Sequence, residues 1–324
     1  MNKKLRLFAA LVTGMLTVAA HAEPFSQRQD VQQFITELAK EQQFDRDYLQ
    51  QIMASVQPQE KIIEAITRPA EAMTWARYRA IFMTNARIQA GRKFMAEHAK
   101  VLDELEQRTG VPKTIMTAIL GVETFYGQRT GSYRVLDALA TLGFDYPKRS
   151  EFFRSELKHF LRLARQQKLD PREPKGSYAG AMGLPQFMPS SYLAYAADYE
   201  GDGHKDIWHN PADAAASIAN YLKVHHWQAG QDIAFLVKPK GDAYQKQLSK
   251  TVKPNLSLSQ VRGLQIAIPE GLPADTQASL LSLDGAGGEE VWLTLENFYV
   301  ITRYNHSPLY AMAVFQLSRA LAGS

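Results

Sequence analysis

The 324-residue chain contains no cysteine. No disulfide can brace it, so its core must stabilise it alone, and lipid attachment through a cysteine at a bacterial cleavage site is excluded. Long apolar runs are equally scarce. The one that opens the chain, Leu7 to Ala20, falls short of the ~20 residues that span a bilayer. Gly-x-x-x-x-Gly-Lys and His-Glu-x-x-His are both absent, so neither a phosphate-cradling loop nor that zinc site is encoded. Charge of one sign is not abundant either: 37 Lys and Arg against 33 Asp and Glu leave a net +4. That is a mild bias toward anionic partners, and no basic, aromatic-interleaved stripe argues for nucleic acid.

What is present begins with an address. Met1 to Arg6 carries three positive side chains, an apolar run follows, and Ala20-His21-Ala22 precedes Glu23 and Pro24. This three-part pattern is that of a secretory signal peptide cleaved after Ala22, and with no cysteine to lipidate, the mature chain is expected to be soluble in the periplasm. The remainder is rich enough in apolar residues, at 45% hydrophobic, for an ample core and more than one lobe.

From Gln27 to about Lys100 the period is helical, with Val31, Phe34, Ile35 and Leu38 on one face. Pro112 opens a helix through Ile115, Ile119, Val122 and Tyr126 that should end at Gly127 in a left-handed cap. Helices are also expected at "RVLDALATLGF", "RSEFFRSELKHFLRLARQQ", "PADAAASIANYLKVHHW" and "SPLYAMAVFQLSRALA". Between the last two, "DIAFLVKPKG", "GLQIAIPEG" and "ASLLSLDGAGGEEVWLTLENF" read as strands broken by Pro and Gly, the last a hairpin around "DGAGG". The expected organisation is a signal peptide (1–22), a helical body (23–230), a small β-rich insertion (231–297) and a returning helical segment (298–324). The fold class is mainly α, of α+β type.

Three stretches carry chemistry. In "AILGVETFYG", Glu123 sits among apolar neighbours in the last turn of its helix. Desolvation and the negative end of the helix dipole both disfavour its anion, which raises its pKa toward that of a general acid; a glutamate merely pointing to solvent from a helix end is the bland alternative. "KGSYAGAMGLPQFMPSSY" combines tight glycine turns with Gln186 and Phe187, an amide and a ring suited to sugar, or to an ordinary loop beside a core. Ser177 lies there, but not in a Gly-x-Ser-x-Gly elbow, so it is no nucleophile. "DYEGDGHKDIWHNPAD" spaces Asp198, Glu200, Asp202 and Gly203 like a calcium loop of the EF-hand kind, with Glu at the third position and His209 at the twelfth. Asp213 is the nearest later carboxylate, and a first-turn helix acid would explain it too. His225, His226 and His306 form no metal set.

Together these stretches resemble the lytic murein transglycosylase B family. "GVETFYG", "LDALATLGFDYPKR", "KGSYAGAMGLPQFMPSSY", Glu200 to Trp208, "ANYL" and "RYNHSPLYAMAV" follow in order over most of the mature chain. The resemblance implies a lysozyme-like helical catalytic core with an additional helical domain and a small β domain. It implies Glu123 as the single acid/base, and Ser177, Gln186, Phe187, Tyr221, Tyr304, Asn305, Tyr310, Tyr78 and Arg149 lining a glycan groove. It places a structural calcium ion on Asp198, Glu200, Asp202, the His204 carbonyl and Asp213, and requires no cofactor for the chemistry. The expected partners are peptidoglycan glycan strands and other cell-wall enzymes, and the protein itself is expected to be a monomer. Two rivals stand beside it: a hydrolytic muramidase with a second carboxylate such as Asp137 or Asp145, and a non-catalytic peptidoglycan-binding protein.

Overall fold

The computed structural model describes residues 23–68 and 73–323. The expected signal peptide, 1–22, lies outside the described residues. The chain divides into two compact units, one ending at Ala54 and the other beginning at Ser55.

In the first unit, α1 (Gln29–Gln42) buries Val31, Phe34, Ile35 and Leu38, the face its periodicity gives, and ends at left-handed Gln43. It packs on α2 (Arg46–Ala54), which turns Leu49, Ile52 and Met53 inward. Both helices are amphipathic, polar on the side away from these residues.

The second unit is built around a helix with almost no polar face. α3 (Glu60–Thr67), α4 (Trp75–Phe82), α5 (Asn85–Glu97) and α6 (Ala99–Thr109) lead to α7 (Lys113–Thr124), which is buried continuously from Ile115 to Val122. A helix apolar all round has to be enclosed by others. α5, α6, α11 (Pro211–Val224) and α14 (Pro308–Ala322) enclose it. Between α7 and α11 come β1 (Tyr133–Arg134), α8 (Val135–Asp145), α9 (Ser150–Gln166), β2 (Lys175–Gly176) and α10 (Pro189–Tyr195). β1 and β2 pair antiparallel, Tyr133 opposite Gly176.

Beyond α11, β3 (Ala234–Val237), β4 (Leu256–Ser257), β5 (Gln277–Gly285) and β6 (Gly288–Thr294) form one antiparallel sheet in the order β3-β6-β5-β4. β5 and β6 are the expected hairpin, closing at Gly285 opposite Gly288. α12 (Leu258–Gly263) follows β4 with a reciprocal Ser257–Gln260 capping box. Leu258, Val261, Leu280 and Leu293 fill the core beneath the sheet. α13 (Glu296–Tyr304) then returns to α14.

Two local expectations fail. "GLQIAIPEG" is no strand: it contributes a lone bridge between Pro239 and Ile266. Gly263 ends a helix there, Gln265 is left-handed, and Pro269 lacks the N–H a ladder needs. α7 also stops at Thr124 instead of reaching Gly127, because Phe125 and Tyr126 already adopt positive φ of 52° and 58°.

Candidate active site

Two successive non-glycine residues in the left-handed region cost of order 1–3 kcal/mol each and persist only where the surroundings impose them. Here they are imposed just after Glu123. The Tyr126 ring folds back between α5 and α7, and its hydroxyl donates to the Arg87 carbonyl at 3.0 Å. Only glycines leave room for it: a Cβ on Gly91 would lie 2.3 Å from the Tyr126 hydroxyl, and one on Gly121 2.7 Å from its ring. Arg87 completes the clamp. Its Nε donates to the Gly121 carbonyl at 3.0 Å, and its guanidinium stands 5.0 Å from the Phe82 ring and 4.9 Å from Phe125. A cation on the last turn of a helix answers the carbonyl dipoles that collect there. Thr124 ties the same turn to the loop between β2 and α10, donating to the Leu184 carbonyl at 3.0 Å.

Gly121→Ala should therefore destabilise the protein by about 1–3 kcal/mol, the usual cost of overpacking, and lower activity in step by displacing the turn. Denaturant titration beside a turnover assay checks this; an unchanged midpoint would mean that the ring moves aside freely.

So held, Glu123 is half-buried, and Tyr310, from the first turns of α14, donates its hydroxyl to Glu123 Oε1 at 2.7 Å. Desolvation pushes the Glu123 carboxyl up to about 7, against the smaller opposing pull of the Tyr310 hydrogen bond. At that value the side chain is divided between acid and base near neutral pH. Burial and the nearby carboxylate push the Tyr310 and Tyr304 hydroxyls well up, and raise Tyr78 for the same two reasons, so all three remain donors.

An aromatic wall runs on from Tyr310. Its ring is parallel to Tyr304 at 6.4 Å, Tyr304 meets Tyr221 edge-on at 4.8 Å, and Phe187 sits 5.8 Å from each of these two. Tyr304 donates to the Pro185 carbonyl at 2.6 Å. Gln186, itself left-handed, spends its amide N–H groups on Thr130 and Gly183 carbonyls. Ser177 Oγ accepts from the backbone N–H of Ala179 and Ala181, and Met182 bridges both Gly176 and Phe187, which joins that loop to the wall. Asn305 is exposed beside Tyr304, its Oδ1 capping Ser307. Glu123, Tyr310, Tyr304, Tyr78, Tyr221, Phe187 and Gln186 thus form one connected set. Arg149 is exposed just before α9, and its guanidinium stacks on Phe152 and Phe153 of that helix, at 4.2 and 5.2 Å.

Neither carboxylate considered for water activation stands idle. Asp137 is buried, with both oxygens engaged by the Arg134 guanidinium at 2.7 Å and Oδ1 also accepting from Gln57 N–H. Asp145, at the end of α8, has partners of its own.

The acidic loop gathers Asp198, Glu200 and Asp213, with one oxygen of each within 4.8 Å of the others. Asp202 is not in the cluster; its Oδ1 accepts from His204 N–H. Asp198 accepts from the N–H of Gly201 and Gly203, the tight loop an oxygen cage needs. Buried Asp213 accepts from Tyr199 and Asp206, and desolvation pushes it up to about 6. Three converging carboxylates, one of them buried without a cation partner among the described residues, fit a hard divalent ion.

Sequence reasoning missed the positioning set, Arg87, Gly91, Gly121 and Tyr126. The available signal was the pair of glycines inside helices, since a glycine there costs about 1 kcal/mol relative to alanine and usually marks close approach.

A half-buried glutamate with a raised pKa at the end of an enclosed helix, facing an aromatic, amide-bearing wall, defines a glycan-cleaving enzyme with a lysozyme-like site. The sequence pattern of the transglycosylase SLT domain matches residues 26–319, and the chain belongs to that family. It is 41% identical to the membrane-bound lytic murein transglycosylase B of Escherichia coli K12, over 92% of this chain and 84% of that protein. The soluble lytic transglycosylase SltB1 of Pseudomonas aeruginosa superposes with a TM-score of 0.88 at 45% identity, covering 91% of this chain and 98% of that one. Escherichia coli Slt35, solved in complex with calcium, gives 0.85 at 42%, covering 92% and 94%. Pseudomonas aeruginosa SltB3, solved with NAG-anhNAM-pentapeptide, gives 0.83 at 34%, covering 91% and 79%. No helix among the described residues is long and apolar enough to cross a membrane.

Proposed function

We infer that this peptidoglycan lytic transglycosylase uses Glu123 alone as acid and then base at the bond between N-acetylmuramic acid and N-acetylglucosamine. The observation that carries the reading is the poise of that one carboxyl group, about 7, beside a hydroxyl donor 2.7 Å away. Protonated, Glu123 gives its proton to the linking oxygen, and the bond from muramoyl C1 to that oxygen breaks. The substrate's acetamido group stabilises the positive anomeric centre, with Asn305 and Ser177 on hand to hold it. Glu123, now a carboxylate stabilised by Tyr310, takes the proton from the muramoyl C6 hydroxyl as its oxygen bonds to C1. A 1,6-anhydro ring results and no water is consumed. The attacking hydroxyl is already tethered, which gives ring closure a large effective concentration over water.

The engagement of Asp137 by Arg134 favours this over hydrolysis, in which a second carboxylate orients water. Digestion of purified sacculi, with soluble products resolved by mass, tests it: anhydro-muramoyl ends support the reading, and a failure to release any fragment would leave a glycan-binding protein.

The Ala-His-Ala site and the lack of cysteine support a soluble periplasmic enzyme beginning at Glu23. The domain limits 23–230, 231–297 and 298–324 are part of the same proposal, as is a calcium ion held by Asp198, Glu200 and Asp213. The ion acts on stability rather than on chemistry. Because it binds only the native state, millimolar calcium should raise the melting temperature and a chelator should reverse the rise. Equal melting temperatures with calcium and with chelator would reduce the loop to an acidic turn.

A further inference from the structure

A cavity of about 570 Å³ lies apart from the aromatic wall, bounded on one side by Gly127, Thr130 and Gly131, the loop that follows the end of α7. Glu123 does not line it. Its volume is in the range that holds small ligands, and its lining differs from that of the wall. Trp208 and Tyr192 supply rings 5.9 Å apart, and Leu169 adds an exposed aliphatic edge. The Trp208 indole N–H is fixed to the Lys175 carbonyl at 3.1 Å, which sets the ring against the strand β2. Around these stand Glu173, Lys175 and Lys205, whose charged groups make no hydrogen bond or ion pair among the described residues. Asp206, by contrast, is committed to the backbone of Trp208 and His209.

A site for the glycan of a peptide-bearing strand is expected to offer ring faces and neutral amides, because its one acidic group, the lactyl carboxyl of muramic acid, is tied up in the amide to the stem and leaves no charge to pair with two ammonium groups. Here apolar faces alternate with unpartnered charges of both signs. That lining matches a short peptide bearing carboxylates, an ammonium group and methyl or methylene side chains. On the transglycosylase reading, the substrate carries such a peptide on the lactyl group of its muramic acid. The cavity shares a wall with the glycan-facing set, since Gln186 donates to the Thr130 carbonyl at 3.1 Å while Thr130 lines the cavity.

We propose that this cavity binds the peptide stem of the glycan strand, with Lys175 and Lys205 taking its carboxylates, Glu173 its ammonium group, and Trp208 and Leu169 its apolar side chains. This inference rests on the transglycosylase reading and adds to it a preference for strands that still carry their stems.

The test compares kcat/KM on peptide-bearing glycan strands with kcat/KM on the same strands stripped of peptide by an amidase. It uses the mature wild-type protein and the double variant Lys175→Glu, Lys205→Glu. The wild type should favour peptide-bearing strands, and the double variant should lose about tenfold of that ratio, since two partly exposed ion pairs are worth about 1.4 kcal/mol together. A ratio unaffected by the substitutions, or a wild type that cleaves both substrates equally well to anhydro ends, would overturn the inference and leave the transglycosylase reading intact. An equal loss on both substrates would assign the cavity to sugar and also overturn it. A wild type that yields no anhydro ends from either substrate would remove the reading on which the inference depends.

Discussion

Glu123→Gln should release almost no anhydromuropeptide from sacculi while folding and binding glycan as the wild type does. The amide is isosteric, so the contacts around it survive and the Tyr310 hydroxyl still finds an acceptor at the same position. It can neither donate a proton to the leaving oxygen nor accept one from the C6 hydroxyl. A single lost general acid–base transfer costs about 10²–10⁴-fold, and here both transfers depend on one side chain. The substitution should also raise the melting temperature above neutral pH. Glu123 binds its proton more tightly in the folded than in the unfolded chain, so its contribution to stability is full below the unfolded value and falls as pH rises through about 7. Glutamine escapes that loss. Sedimentation with sacculi, thermal melts across pH and product counts read the three effects, and near-normal turnover would show that Glu123 is not the acid.

Tyr310→Phe should move the alkaline limit of activity upward. Its hydroxyl is the group that holds the Glu123 anion, and it lowers a carboxyl value that burial alone would take higher. A hydrogen bond to a charged acceptor is worth about 1.5–3 kcal/mol, or about one to two pH units at 1.36 kcal/mol each. The variant's acid therefore stays protonated to higher pH. It should also turn over roughly tenfold more slowly on the acid plateau, because the carboxylate formed in the first step has lost its donor. A pH profile of kcat reads both. A limit that stays in place, or moves down, would mean that another group sets it.

Much of the fold was legible because it follows from burial. Val31, Phe34, Ile35 and Leu38 announce a face, the nearly polar-free run from Ile115 to Val122 announces an enclosed helix, and "DGAGG" between alternating residues announces a hairpin. What was not legible depends on partners distant in the chain. "GLQIAIPEG" alternates like a strand, but Pro269 and left-handed Gln265 leave it a single bridge. α7 ends at Thr124, short of the expected Gly127, although Tyr126 fits the helical period; the ring's actual destination, between Gly91 and Gly121, requires knowing that α5 packs on α7. Arg87 looks in sequence like any solvated helix charge, yet it is buried, and the Gly121 carbonyl and two rings occupy it. The raised poise of Glu123 was readable from its apolar neighbours. The Tyr310 hydroxyl that opposes it lies 187 residues away and is joined to it only by the packing of α14 on α7.

The central claim, that one glutamate closes an anhydro ring without water, is tested most directly by digesting sacculi in water enriched in heavy oxygen and weighing the new muramoyl ends. Ends lighter by one water than a hydrolytic product, and free of label in the wild-type digest, are the predicted result. Reducing muramoyl ends that carry the heavy oxygen would contradict it.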